Sequence, residues 1–459
     1  MISDSDYQWL ASVEATEAWS FLRSELRQPG GKKSTSLASL RRLSQSQRQL
    51  LEQQLSFVVG AGKRKVRFPE RWFWTQRFFE QASDEWTAEE TAKDFQGEET
   101  IYDVCCGAGV DSVALAKQLG HEQDDTTSVI TATTAIDTAT NRSINRSINR
   151  EIVAVDASPL ACVLASLNAK SNSVILQMRN SLFEDVSLPT DVWLHMDPDR
   201  RADGERHTHL YDMQPSWEVI ANSVAKCRGA SIKAAPGFHP NEAFEWGTCG
   251  APTARRWLSR DGSVRQQRLY WRIPRWQEGQ RIVSVQRSNA PWYHEIFSEQ
   301  ECIATPSSEP ADQWFSPSQN FGSQPIDSEF SGLSVGKYVA DQDPAVRAAH
   351  CSVALAKRLQ VRLLGNSFGY YHADTRISHP MLRWFRVIDQ LPLDKKKLKA
   401  YSRSACVKRW ELKSRNIDID LVKLQKDLIV DEKSEKIHWV LLTKVGVKHI
   451  ALIAEEANE

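Results

Sequence analysis

Apolar and polar positions change their period twice along the chain, and those changes divide it. Through residues 1–96 leucines recur at helical spacing, at Leu37, Leu40, Leu43, Leu50, Leu51 and Leu55, in a Gln/Arg-rich stretch without β-branched runs. That pattern predicts helices. Between Arg64 and Phe79 basic and aromatic residues interleave: Arg64, Lys65, Arg67, Phe68, Arg71, Trp72, Phe73, Trp74, Arg77, Phe78 and Phe79. Such a mixture suits single-stranded nucleic acid, but an amphipathic helix with its rings in the core accounts for most of them.

From Thr100 the period shortens. β-type runs at Thr100–Val104, Ile152–Val155, Val174–Met178, Val192–Met196 and Ala230–Lys233 alternate with helix-like segments such as Asp111–Leu119 and Pro159–Ala169. Alternation of this kind predicts an α/β domain with a parallel sheet covered by helices. Arg256–Ser259 and Gln267–Ile273 flank Arg260-Asp261-Gly262, a hairpin signal, and are expected to add the last strands of that sheet. His121–Arg150 is polar and threonine-rich, with Asn-Arg-Ser-Ile repeated at Asn141–Ile144 and Asn145–Ile148. It is expected to be a disordered insertion at the edge where strands begin, opposite the edge where open α/β sheets bind ligands.

Gln300–Gly336 is rich in Ser, Pro, Gln and Asp and reads as a linker. Beyond it come a helix (Pro344–Leu359), a basic stretch (Asp394–Arg415), a helix (Ile419–Leu428) and a hairpin of Ile437–Thr443 and Val447–Ile453 around Gly446. The expected division is a helical region at 1–96, a sheet domain at 97–299 with an insertion at 121–150, a linker at 300–336, and an α+β domain at 337–459.

Composition narrows the class. A chain of 459 residues exceeds one hydrophobic core, and 41% hydrophobic residues exclude wholesale disorder. No apolar run approaches the roughly 18 residues of a membrane span, and Met1-Ile2-Ser3-Asp4-Ser5-Asp6 carries acids where a secretory signal has a basic region. Eight cysteines without a C-x-x-C pair fit neither a disulfide framework nor a zinc site. The expectation is a cytoplasmic protein with reduced thiols, no membrane partner and no metal. The balance of 58 basic and 58 acidic residues conceals an asymmetry: Ala345–Glu459 holds 22 basic and 13 acidic residues. Charge alone leaves a polyanion-binding module and a solvated lysine-rich surface equally open.

The candidate chemistry gathers after the β-type runs. Asp103 ends the first, Gly107 and Gly109 make a Gly-x-Gly turn, and a helix begins near Asp111. Glycines there let a ligand lie against the backbone beside the free N–H groups of a helix start. Asp156 ends the second run, where an acid can accept from two ribose hydroxyls, and the insertion explains its long separation from Gly107. Asn180, Ser181 and Phe183 follow the third run, where Asn180 could bond an adenine edge and Phe183 its face, or both could be loop residues. Asp197-Pro198-Asp199-Arg200-Arg201 follows the fourth.

Together these residues resemble the class I S-adenosylmethionine-dependent methyltransferases, over Thr100 to Trp271. More closely, the chain resembles the bacterial methyltransferases that end in a THUMP-like domain. Their Lys-Phe-Pro segment stands here as Val66-Arg67-Phe68-Pro69, their Gln-Ala-Ser/Thr as Gln81-Ala82-Ser83, and their Gly-x-Gly-Val-Asp-Ser as Gly107 to Ser112. Asp-Pro-x-Arg-Arg matches Asp197 to Arg201, Lys-Arg matches Lys408-Arg409, and an Asp-Pro-Ala-Ile-like helix matches Asp343-Pro344-Ala345-Val346. The resemblance implies a Rossmann-like sheet with a helical N-terminal region and a C-terminal α+β THUMP-like domain. It also implies S-adenosylmethionine as cofactor, its methionine end near Asp103 and Gly107 and its ribose on Asp156. By analogy the substrate is a structured RNA.

Two departures stand out. Amino-directed relatives carry Asp/Asn-Pro-Pro and an aromatic, whereas Asp197-Pro198 is followed by Asp199 and Arg200. Asp197 can still accept from an N–H, with Arg200 and Arg201 holding a phosphate, stacking, or pairing with Asp199 and Asp203. Asn180-Ser181 stands where many relatives place an acid for the adenine. Cys105 and Cys106 read as small cofactor-facing thiols more readily than as nucleophiles. His195, His207 and His209 lack partners for a metal, and Lys233 either reaches the substrate pocket or snorkels at a strand end. The expected activity is methylation of an RNA base with Asp197 holding the acceptor. The rivals are methylation of a small molecule or protein, and RNA binding on a non-catalytic methyltransferase scaffold.

Overall fold

The computed structural model describes residues 4–26, 42–95, 97, 100–130, 151–199, 209–240, 244–303, 335–365 and 369–457. Leu37, Leu40, Arg200, Arg201, His207 and most of the expected linker lie outside the described residues. The chain forms two units, Met1–Arg255 with Arg265–Glu278, and Arg256–Val264 with Gly279–Glu459.

In the first unit the strands are β1 (Thr100–Val104), β2 (Glu151–Asp156), β3 (Gln177–Asn180), β4 (Trp193–Met196) and β5 (Gly229–Ala234). After β6 (Ala254–Arg260), Asp261 and Gly262 turn the chain with positive φ into β7 (Ser263–Trp271). The order is β3-β2-β1-β4-β5-β7, parallel except for β7, which runs antiparallel to β5. Because β2 lies on one side of β1 and β4 on the other, the chain reverses direction at β1. The carboxyl ends of β1 and β4 therefore open the crevice where such sheets bind ligands.

One face of this sheet is apolar. Tyr102, Val104, Val153, Val155, Leu194, Met196, Ile232, Leu269 and Trp271 belong to one buried cluster with helix Trp217–Lys226, each buried aliphatic contributing about 1.5–3 kcal/mol. Phe183 is in that core, so it is a packing residue and not an adenine platform. The other face is polar. Cα register sets Asp103 opposite His195, His195 opposite Ser231, Ser231 opposite Tyr270 and Lys233 opposite Arg268. Side chains two apart share a face, so four adjacent strands present their polar residues together.

The N-terminal region covers that face in part. Helix Gln45–Val59 forms where Leu50, Leu51 and Leu55 recur, with a capping box at Ser44 and Gln47, and helix Val13–Leu26 precedes it outside the leucine pattern. The aromatic stretch is not one amphipathic helix. Trp72, Phe73 and Trp74 are buried in an irregular segment after a short 3-10 turn at Pro69–Arg71, and only Gln76–Gln81 is α-helical. Pro69 is the physical reason, since it removes a backbone donor and biases Phe68 away from helical geometry. Within that segment Asn168, fully buried on helix Pro159–Ser171, accepts from Phe73 N at 2.7 Å and donates to Phe73 O at 3.1 Å and Ala108 O at 2.8 Å.

Two boundaries shift. Helix Val110–Ile130 continues past His121, so the expected disordered insertion is helical where it starts, and residues 131–150 lie outside the described ones. The expected run Val174–Met178 starts late, as β3 at Gln177, because Val174 still bonds back to the preceding helix at Ala169 O.

The second unit holds β6 with β8 (Gln280–Gln286) and β9 (Tyr293–Ser298), ordered β6-β8-β9. It also holds a seven-stranded sheet of β10 (Tyr338–Gln342), β11 (Arg362–Leu364), β12 (Tyr370–Ala373), β13 (Leu382–Pro392), β14 (Arg409–Ser414), β15 (Ile437–Val445) and β16 (Lys448–Glu456). Their order is β11-β12-β10-β13-β16-β15-β14. β15 and β16 form the hairpin expected at Gly446. The expected helix Pro344–Leu359 is two, Pro344–Ala348 and Ser352–Leu359, because His350 takes a positive φ of 56° and breaks the ladder. Among the described residues no helix is long and apolar enough to cross a membrane.

Candidate active site

The carboxyl edge of the first sheet collects the residues singled out in the sequence. β1 ends in a tight loop in which Cys105, Gly107 and Gly109 all have positive φ, at 59°, 54° and 81°. At Gly109 a Cβ would come within 2.9 Å of Ala165 Cβ and 3.0 Å of its Cα, so the loop rests directly on the neighbouring helix. At Gly107 the space is open, and a Cβ would approach only Phe78 Cδ1, at 3.7 Å.

Asp156, at the end of β2, faces the same loop. Its Oδ2 accepts from Gly107 N and its Oδ1 from Ser158 N, both at 2.9 Å. Burial pushes its carboxyl up despite those two bonds. A carboxylate has about four lone-pair sites, so each oxygen retains acceptor capacity for a pair of hydroxyls. Asn180 uses its amide on the Asp156 and Ala157 carbonyls, at 3.0 and 3.1 Å, and Ser181 N bonds Asp156 O at 3.1 Å. Both therefore shape the loop that carries Asp156.

Asp103 behaves differently from the expectation. It is 1% exposed, with Oδ1 2.8 Å from His195 Nδ1 and Oδ2 accepting from Ser112 Oγ. Its side chain is spent inside the sheet, beneath the loop. Beyond it runs a chain of polar contacts. Arg268 offers only donors, so His195 Nε2 accepts from it at 2.5 Å while Nδ1 donates to Asp103. Arg268 lies 3.6 Å from Asp111, whose carboxyl also bonds Ser83. Burial would push Asp111 up, but the Arg268 and Lys233 charges and the bond from Ser83 hold it below its ordinary value. Asp103 and Asp111 are thus acids beside His195 that the sequence reading did not provide. They serve hydrogen bonding, and among the described residues no group of three or more His, Cys, Asp or Glu side chains is arranged to hold a metal.

The network surfaces at Asp197. Lys233, only 6% exposed, donates to Asp197 Oδ2 at 2.5 Å and to Ser83 Oγ at 3.2 Å. Lys233 is therefore turned inward onto Asp197 and Ser83 and does not snorkel to solvent. Asp197 Oδ1 has no hydrogen-bond partner among the described residues, and the side chain is 23% exposed. Asp199 pairs with Arg77 at 3.3 Å. Lys65 stands nearby, pulled down to about 8 by burial and then by the Lys233 charge.

The thiols of Cys105 and Cys106 are pushed well up, by burial first and then by surrounding aspartates, which argues against a nucleophilic thiolate. Lys408 and Arg409 lie in the other unit, paired with Glu435 at 3.2 Å and Glu411 at 2.7 Å.

Residues 382–456 match the family described as THUMP domain-like. An uncharacterized S-adenosylmethionine-dependent methyltransferase of Mycobacterium tuberculosis strain CDC 1551 is 25% identical over 304 residues, 64% of this chain and 71% of that protein. Its counterpart in strain H37Rv matches to the same extent, at 25%. Among solved structures, a protein of Porphyromonas gingivalis W83 assigned as a methyltransferase superimposes with a TM-score of 0.65 at 14% identity, covering 96% of this chain and 99% of that one. At that identity the likeness speaks for the fold, and it joins the strand order and glycine loop derived above. The chain is thus similar to S-adenosylmethionine-dependent methyltransferases in sequence and fold, and it ends in a segment that matches the THUMP domain-like family.

Proposed function

We propose that this enzyme methylates a base nitrogen in a structured RNA. The observation that carries the reading is the Asp197–Lys233 pair at the carboxyl edge shared with the glycine loop and Asp156. S-Adenosylmethionine supplies a methyl group on a sulfonium, ready for in-line displacement. The open face of Gly107 fits such a ligand, and Asp156 would accept its ribose hydroxyls.

Lys233, itself bonded to Ser83, fixes Oδ2 of Asp197, which leaves Oδ1 to accept an N–H from the acceptor and aim its lone pair along the displacement axis. As the N–C bond forms and the S–C bond breaks, the displaced N–H proton passes to Asp197 Oδ1. Pro198 holds the turn that brings this carboxylate past the strand end. Support for RNA comes from the THUMP-like match and from the 22 basic against 13 acidic residues after Pro344. Lys408 and Arg409 remain half-exposed or more beside their acid partners and would exchange those partners for phosphates. Arg200 and Arg201, three and four residues after Asp197 in the sequence, would add two further cations for phosphate.

The test is transfer of labelled methyl to total RNA from a strain lacking the gene, with nuclease-treated extract as comparison. Asp197→Ala should abolish transfer and leave S-adenosylmethionine affinity within about threefold. Equal loss of both would refute the role of Asp197, and label retained after nuclease treatment would refute RNA.

A further inference from the structure

The Asp-Pro motif lacks the aromatic that would hold a flat acceptor, yet a ring stands close by, contributed from far earlier in the chain. Helix Gln76–Gln81 starts at Thr75, whose Oγ accepts from Phe78 N at 3.1 Å. It is tied to the site at two points. Arg77 pairs with Asp199 at 3.3 Å, two residues from Asp197, and the Phe79 carbonyl accepts from Lys65 Nζ. The adjacent rings then diverge. Phe79 packs inward against Phe57 at 5.0 Å and Trp74 at 5.5 Å, with Lys65 Nζ 4.9 Å from its centroid. Phe78 is half-buried, makes no ring contact among the described residues, and has its Cδ1 3.7 Å from where a methyl on Gly107 would stand.

We propose that Phe78 is the platform on which the methyl acceptor stacks, and that the acceptor is therefore a planar heteroaromatic base. This rests on the reading of Asp197 as the group that holds the acceptor. The two residues divide the work: Asp197 sets the in-plane direction of the acceptor N–H, and Phe78 sets the plane. Phe78 is then a specificity-determining residue, because a ring face stacks over the whole area of a flat base and meets a non-planar amine over far less.

The experiment compares wild type, Phe78→Leu and Phe78→Tyr, using the same total RNA as acceptor and calorimetry for S-adenosylmethionine. Base–aromatic stacking of about 1–3 kcal/mol corresponds to about 5- to 150-fold. Phe78→Leu should raise the acceptor KM by that factor with cofactor affinity unchanged, and Phe78→Tyr should restore it. An unchanged acceptor KM in Phe78→Leu, or a parallel loss of cofactor affinity, overturns the role of Phe78 while leaving the function intact. Wild-type enzyme that transfers no methyl to RNA overturns both.

Discussion

The two glycines of the loop after β1 should fail in different ways when each is replaced by alanine. Both have positive φ, which costs an L-residue about 1–2 kcal/mol. At Gly109 the new methyl would also stand 2.9 Å from Ala165 Cβ and 3.0 Å from its Cα, and backbone cannot yield as a side-chain tip does. Overpacking of that kind adds about 1–3 kcal/mol, so Gly109→Ala should lose about 2–5 kcal/mol. For a domain of this size that lowers the melting temperature by roughly 4–20 °C. At Gly107 the nearest atom is a ring carbon at 3.7 Å, an ordinary contact, so only the backbone cost of about 1–2 kcal/mol remains. The methyl would instead occupy the open face proposed for the cofactor. Scanning calorimetry of both variants, with S-adenosylmethionine titrations of each folded protein, separates the effects. Gly107→Ala should melt only about 2–8 °C below wild type and bind at least tenfold more weakly. Equal destabilisation of the two variants, or normal binding by Gly107→Ala, would refute the argument.

Other expectations are more compact. Asp103→Asn removes a buried charge from the His195–Arg268 network and should cost about 3–5 kcal/mol in chemical denaturation; a stable variant that has lost only cofactor binding would show direct contact instead. Lys65 has a folded-state pKa of about 8, below its unfolded value. The unfolded chain therefore binds more protons between about pH 8 and 10.4, and stability from this group rises across that window. Lys65→Met should lack that rise relative to wild type in unfolding measured from pH 7 to 10.5, and parallel curves would count against it.

Much of the fold was legible because the central strands announce themselves. Ile101–Val104 and Ile152–Val155 are short runs bounded by turn residues, and their alternation with helices predicts the parallel sheet. Where local patterning competes with tertiary contacts it misled: Trp72–Trp74 are buried without a helix, and His350 interrupts an otherwise helical pattern. Gly107 and Asp156 could be read as a pair because their motifs are local. The Asp103–His195 and Ser83–Lys233 contacts span 92 and 150 residues, and no spacing rule connects them. A signal was nevertheless present. Parallel central strands are normally apolar throughout, so His195 inside Trp193–Met196 marks a polar partner on the adjoining strand, Asp103 of β1.

Asn168 settles how separable the N-terminal region is. Its amide spends all three bonds on two carbonyls and one N–H, joining Phe73 to the Ala108 turn of the glycine loop. A chain that began at residue 97 would take away both bonds to Phe73 and leave this amide only its bond to Ala108 O. The irregular segment around Phe73 is thus a structural part of the loop itself. Grafting the sheet alone onto another protein would transplant the motif without the scaffolding that holds it open.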